Sequence, residues 1–183
     1  MNTVSMVIGS WGSYNECNER ALGSKWIDFD DYNDWDEIVA ELEKQGFELD
    51  GIDEELFVQD IEGIPTSGKN WDCTHPQEIF ELIKKSGVLD DDYKYELMEA
   101  YCEVRSFDEW AQLVEDYEDG WDRDIIFYRN MTMLDVAYEI IDECYDLDKT
   151  LGHLASYFDY EAFARDLSYD GYTETEHGVI EIR

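Results

Sequence analysis

Asp34–Gly46 reads DWDEIVAELEKQG, and what lies on either side of it decides the fold class. Trp35, Ile38, Val39 and Leu42 recur at i, i+3, i+4 and i+7, the spacing of one helix face. Asp34 and Glu37 stand in capping-box positions, and Gly46 follows as a stop. Before this helix, VSMVIGS (residues 4–10) is an apolar strand entering a Gly/Ser/Asn turn, with ALGSKWIDF (21–29) as its hairpin partner. After it, ELFVQDIEGI (55–64) is a third strand. Residues 1–64 therefore read as a three-stranded sheet carrying one helix.

Further along, PTSGKNWDCT (65–74) has the Pro, Gly, Ser and Thr content of a linker without periodicity. Three helical patterns follow. PQEIFELIKKSG (76–87) has Pro in its first turn, Lys84 and Lys85 in its last, and Gly87 as a stop. DDDYKYELMEAYCEV (90–104) directs Tyr93, Leu97, Tyr101 and Val104 inward, and SFDEWAQLVEDY (106–117) opens on the box Ser106-x-x-Glu109. In that third helix Trp110, Leu113, Val114 and Tyr117 form the apolar face.

DIIFY (124–128) is a strand, and TMLDVAYEIIDECYDL (132–147) one helix with Met133, Ala137, Ile140, Cys144 and Leu147 inward. Two short helices, LGHLASYF and DYEAFARDL, lead to a closing hairpin, YTETE-HG-VIEI. The expected class is α+β: an elongated chain of three small domains, 1–64 with a three-stranded sheet plus helix, 65–119 helical, and 120–183 with helices and a small antiparallel sheet.

Charge restricts function most. The chain has 183 residues with 47 Asp and Glu against 13 Lys and Arg, a net of −34, yet 44% hydrophobic content is ample for a core. On monomer scaling the surface is roughly 9,000 Å², giving one net negative charge per about 270 Å². Duplex DNA carries about one per 100 Å². Acids concentrated on one face would approach that density. Nucleic acid, anionic lipid and nucleotides are excluded as partners by repulsion, and basic protein surfaces are favoured. Cys17, Cys73, Cys102 and Cys144 are widely spaced, and with no signal peptide or membrane-length apolar run the expectation is reduced thiols in a cytoplasmic protein.

Motifs for chemistry are poor. Gly63–Asn70 (GIPTSGKN) approaches a P-loop, but Asn70 replaces the magnesium-holding hydroxyl and no helix starts at Lys69. Asp28–Glu37 lacks the central Gly of a calcium loop, and Cys73-Thr-His75 lacks a second ligand pair for zinc. No catalytic residue, cofactor or metal is expected. An acidic adaptor or calcium-responsive binding module is the alternative reading.

The more specific pattern is geometric. Asp92, Glu96, Glu99 and Glu103 fall at i, i+4, i+7 and i+11, and Asp135, Glu139, Asp142 and Asp146 repeat that spacing, with no Lys or Arg in either row. Neighbours in a row sit about 4.5–6 Å apart along a helix axis. Like charges so spaced weaken a helix. Such unpaired rows imitate the phosphates of a DNA backbone. Asp108, Glu115, Asp116, Glu118 and Asp119, the N-terminal Asp28, Asp30, Asp31, Asp36, Glu37 and Glu41, and Asp166 extend the candidate surface.

LASYFDYEAFARDLSYDGY (residues 154–172), ending in HGVIEI, resembles the closing signature of the ArdA antirestriction family, with Tyr157, Asp159, Tyr160, Glu161, Arg165 and Asp166 in its Tyr-x-Asp-Tyr-Glu-x-x-x-Arg-Asp pattern. Tyr14-Asn15-Glu16 followed by Trp26 is similar to that family's first hairpin, and FVQDIEGIP (57–65), with Asp60 and Glu62, to its third strand. SFDEWAQLVEDYEDG corresponds to its acidic antirestriction motif. The resemblance implies an elongated three-domain DNA mimic from a mobile element. It further implies a cytoplasmic homodimer in bacteria that occupies the DNA groove of type I restriction-modification enzymes. Within the signature itself, Asp159 is placed to cap a helix, Tyr160, Phe163 and Leu167 to face inward, and Glu161 to pair with Arg165, so the segment reads mostly as scaffold.

Overall fold

The computed structural model describes residues 3–66, 69, 71–117 and 120–183. Strand β1 (Ser5–Ser10) is buried at every residue, as befits the centre of a sheet. It pairs antiparallel with β2 (Ile27–Asp28) on one side and β3 (Leu56–Glu62) on the other, with Ser5 opposite Glu62 and Ser10 opposite Leu56. The register shifts between Val7 and Ile8.

The first hairpin differs from expectation. Instead of a turn and a full partner strand, the chain enters the short helix α1 (Trp11–Glu16), then a 3-10 turn over Glu19–Leu22, and β2 is only two residues long. The reason is a buried polar centre. Ser10 caps α1 by accepting from the Ser13 N–H at 3.3 Å, and the Ser13 hydroxyl donates to Asp53. Asp53 is fully buried, also accepts from the Glu48 N–H at 2.8 Å, and lies 2.9 Å from Arg20 Nε. A buried carboxylate is tolerated only when so satisfied. Satisfying it pulls residues 13–20 away from strand pairing.

Helix α2 (Trp35–Lys44) starts at Asp34, whose side chain accepts from the Glu37 N–H, and Ile38 and Leu42 are buried. Glu37 reaches back to the Asn33 N–H at 2.7 Å, one residue earlier than a capping box requires.

The middle of the chain is helical: α3 (Pro76–Ser86), α4 (Asp92–Val104) and α5 (Phe107–Asp116). Gly87 ends α3 at φ 74°, and the Ser106/Glu109 capping box opens α5. In α5, Phe107, Trp110 and Val114 are buried, whereas Tyr117 is exposed. Helix α4 buries a wider arc than its apolar spacing implies: Leu97, Met98, Ala100, Tyr101 and Cys102, while Tyr93 is exposed. It is covered from two sides, by α5 and by the second sheet.

That sheet consists of β4 (Ile125–Arg129), β5 (Tyr172–Thr175) and β6 (Gly178–Ile182), antiparallel in the order β4-β6-β5. Helix α6 (Met133–Cys144) packs against α8 (Tyr160–Leu167), with α7 (Leu147–Leu151) and a 3-10 turn (Gly152–Tyr157) between them. The expected single helix to Leu147 is therefore broken, and Cys144 is exposed rather than inward. Asp146 causes the break: its side chain accepts from the Lys149 N–H at 3.0 Å and starts a new helix.

Two apolar clusters hold the chain together. The larger runs from Val4 and Phe29 through Leu97 and Trp110 to Ile125, Phe127 and Ile180, so it draws on all three expected segments. The smaller gathers Val136, Ala137, Ala164, Leu167 and Val179. Successive strand residues point to opposite faces, and Val179 and Ile180 accordingly serve different clusters.

Candidate functional site: the acidic faces

The α4 row is the first surprise. Glu96 receives both Arg129 Nε and Nη2 at 2.5 Å, and the Arg129 hydrogen bond holds its carboxyl below the usual range. Glu99 is half-buried, its Oε2 3.2 Å from His177 Nε2. Burial pushes the Glu99 carboxyl up, opposed by His177 and reinforced by Glu96, Glu176 and Glu103. Glu103 accepts from the Glu176 N–H at 3.1 and 3.3 Å. Three of the four acids thus face the second sheet. The expectation of an unpaired row is corrected here, because the partners arrive from 33 to 78 residues away in sequence. Asp92 is exposed at the start of the helix.

The second row is interrupted as well. Asp135 completes a capping box by accepting from the Thr132 hydroxyl at 2.6 Å and the Thr132 N–H at 2.9 Å, which together hold its carboxyl below the usual range. Glu139 is partly covered, Asp142 is exposed, and Asp146 belongs to α7. The break in the helix builds something the row pattern does not show. Asp142, Glu143, Asp146 and Asp148 line one open concavity of about 830 Å³ together with Tyr145 and Tyr160. Glu143 and Asp148 are absent from the sequence expectation, since no single helical period relates them to Asp142.

Of the other candidates, Asp108 is exposed and pairs with Lys69 at 2.5 Å, while the Lys69 ammonium also lies 5.4 and 5.2 Å from the rings of Trp71 and Phe107. Glu115 and Asp116 are exposed, Asp116 accepting from Gln112. Glu118 and Asp119 lie outside the described residues. Asp28, Asp30, Asp31, Asp36, Glu37 and Asp166 are exposed. Glu41 accepts from Gln45 at 3.1 Å and Lys44 at 3.3 Å, and these bonds lower its carboxyl. Pairing cannot neutralise this surface: with 47 acids and 13 bases, one-to-one pairing of every base leaves 34 acids over. The accessible area of 10,820 Å² exceeds the roughly 9,000 Å² of a compact monomer this size.

The segment Tyr157–Leu167 is scaffold. Asp159 caps α8 by accepting from the Ala162 N–H at 2.9 Å, Ala164 and Leu167 are buried, and Tyr160 stacks on Tyr138 at 4.1 Å. Glu161 and Arg165 stay exposed, and among the ion pairs of the described residues the expected one between them does not occur. A family model described as antirestriction protein (ArdA) matches residues 6–181, nearly the whole chain. The chain belongs to the ArdA antirestriction family. That match spans every helix and nearly all of both sheets described above, so the ArdA assignment does not rest on the closing signature alone. Membership carries an antirestriction role. A search of curated proteins finds no match. Among the described residues no helix is long and apolar enough to cross a membrane.

Proposed function

We propose that this ArdA-family protein acts as a DNA mimic that occupies the DNA-binding groove of a type I restriction-modification enzyme and inhibits cleavage of incoming DNA. The observation that carries the reading is the excess of 34 acids that no basic residue can pair, much of it on exposed helix faces and termini. A groove built to neutralise phosphates gains the same electrostatic energy from carboxylates fixed on a folded surface. The protein is an inhibitor and not an enzyme, needs no cofactor, and works in the bacterial cytoplasm. Exposed Tyr138, Tyr145, Leu151, Leu154, Tyr157 and Tyr169 supply apolar area for a homodimer interface in the last third of the chain.

The test is cleavage of unmodified DNA by a purified type I enzyme with and without the protein at low and high salt. Inhibition that weakens steeply with salt and is relieved by excess duplex supports the reading. Inhibition indifferent to competing duplex overturns it.

A further inference from the structure

The turn joining β5 to β6 lands on α4 and brings together side chains that are far apart in sequence. Glu103, Glu176 and His177 each place a ligand atom within 4.8 Å of the other two. Glu99 lies behind this trio, 3.2 Å from His177 Nε2, and all four residues line a concavity of about 370 Å³. This is more than exposed acidity. One imidazole stands among three carboxylates, two from the helix and one from the turn, and the Arg129 guanidinium on the adjoining strand is already engaged by both oxygens of Glu96.

We propose that Glu103, Glu176 and His177 form a binding site for a first-row divalent cation of the Zn²⁺ class, with Glu99 orienting the His177 imidazole, and that the cation clamps the β5–β6 turn onto α4. Imidazole with carboxylates suits such ions, whereas Ca²⁺ and Mg²⁺ favour all-oxygen cages. A cation here offsets the mutual repulsion of these acids, of which Glu99 is half-buried. Cys102 also lines the concavity but is buried and stands outside the trio of converging ligand atoms. The Glu176 carboxylate makes no hydrogen bond among the described residues and is free to take part. The proposal goes beyond the mimicry reading and does not rest on it.

The test uses the full chain stripped with a chelator, then titrated with ZnCl₂ by calorimetry in a large excess of Mg²⁺, which fills the diffuse acidic surface. The expected result is one saturable Zn²⁺ per chain. His177→Ala and, separately, Glu176→Gln weaken it about tenfold or more, and His153→Ala leaves it unchanged. Near-UV circular dichroism confirms that each variant is folded, and Glu176→Gln removes no contact the fold uses. Zn²⁺ raises the melting temperature of the wild type and not of His177→Ala. Uptake that Mg²⁺ displaces, or that is equal in the wild type and both site variants, overturns the proposal.

Discussion

Arg129, near the end of β4, clasps Glu96 of α4 through two nitrogens, each 2.5 Å from a carboxylate oxygen. A fork of this kind fixes direction as well as distance, so it sets how the second sheet sits on the helical middle of the chain. Replacing Arg129 by Ala or by Lys is expected to lower the melting temperature, Ala more than Lys. A double-mutant cycle with Glu96→Gln should return a coupling energy that shrinks with added salt, because both groups reach solvent. Strict additivity of the two substitutions would show that the clasp contributes nothing.

The Asp53 centre predicts a larger loss. Burial alone raises the Asp53 carboxyl, but the Glu48 N–H, the Ser13 and Ser10 hydroxyls and the Arg20 charge outweigh it and hold the group below the ordinary range. Removing one partner of a buried pair leaves the other charge uncompensated, so Asp53→Ala should cost about 3 kcal/mol in chemical denaturation. A depressed carboxyl stabilises the fold above its unfolded value, and that contribution is lost as pH falls through the folded one. Asp53→Asn should therefore flatten the acid limb of stability. An unchanged acid limb would refute the assignment.

These two sites also mark what could be read from sequence. Helices α2, α3 and α5 were legible because each carries its own instructions: Asp34, Pro76 and Ser106 at the start, with apolar residues at helical spacing. The closing hairpin was legible from strand alternation around His177-Gly178. The α1 detour was not, since Asp53 lies 40 residues beyond Ser13 and nothing local announces their bond. For the same reason the α4 row read as unpaired although Arg129 and His177 answer it. Local periodicity reports which residues share a face, and it is blind to what that face meets.

Helix α6 depends on its first residue pair. Thr132 donates to and caps with Asp135 in a reciprocal box, so Thr132→Ala should destabilise by about 1 kcal/mol, or roughly 2–4 °C in melting temperature, while Thr132→Ser should be close to neutral. Because the helix orients Asp142 and Glu143, the Ala variant should lose inhibition only at temperatures where the helix frays. Equal inhibition at all temperatures, with the melting temperature lowered, would separate the helix from the function.

The concavity between α6 and α7 gives the sharpest test of distributed mimicry. If Asp142, Glu143, Asp146 and Asp148 meet a basic groove together, no one of them dominates, because each remains solvated and screened before binding. Single changes to Asn or Gln should alter the inhibition constant by roughly twofold or less. The quadruple change should weaken it roughly tenfold or more and reduce its dependence on salt, since fewer ion contacts are made. Asn at position 146 keeps the cap that starts α7, so the scaffold should survive, as circular dichroism would verify. A single substitution that abolished inhibition in a folded protein would point instead to one specific contact, and the image of a phosphate row would have to be abandoned.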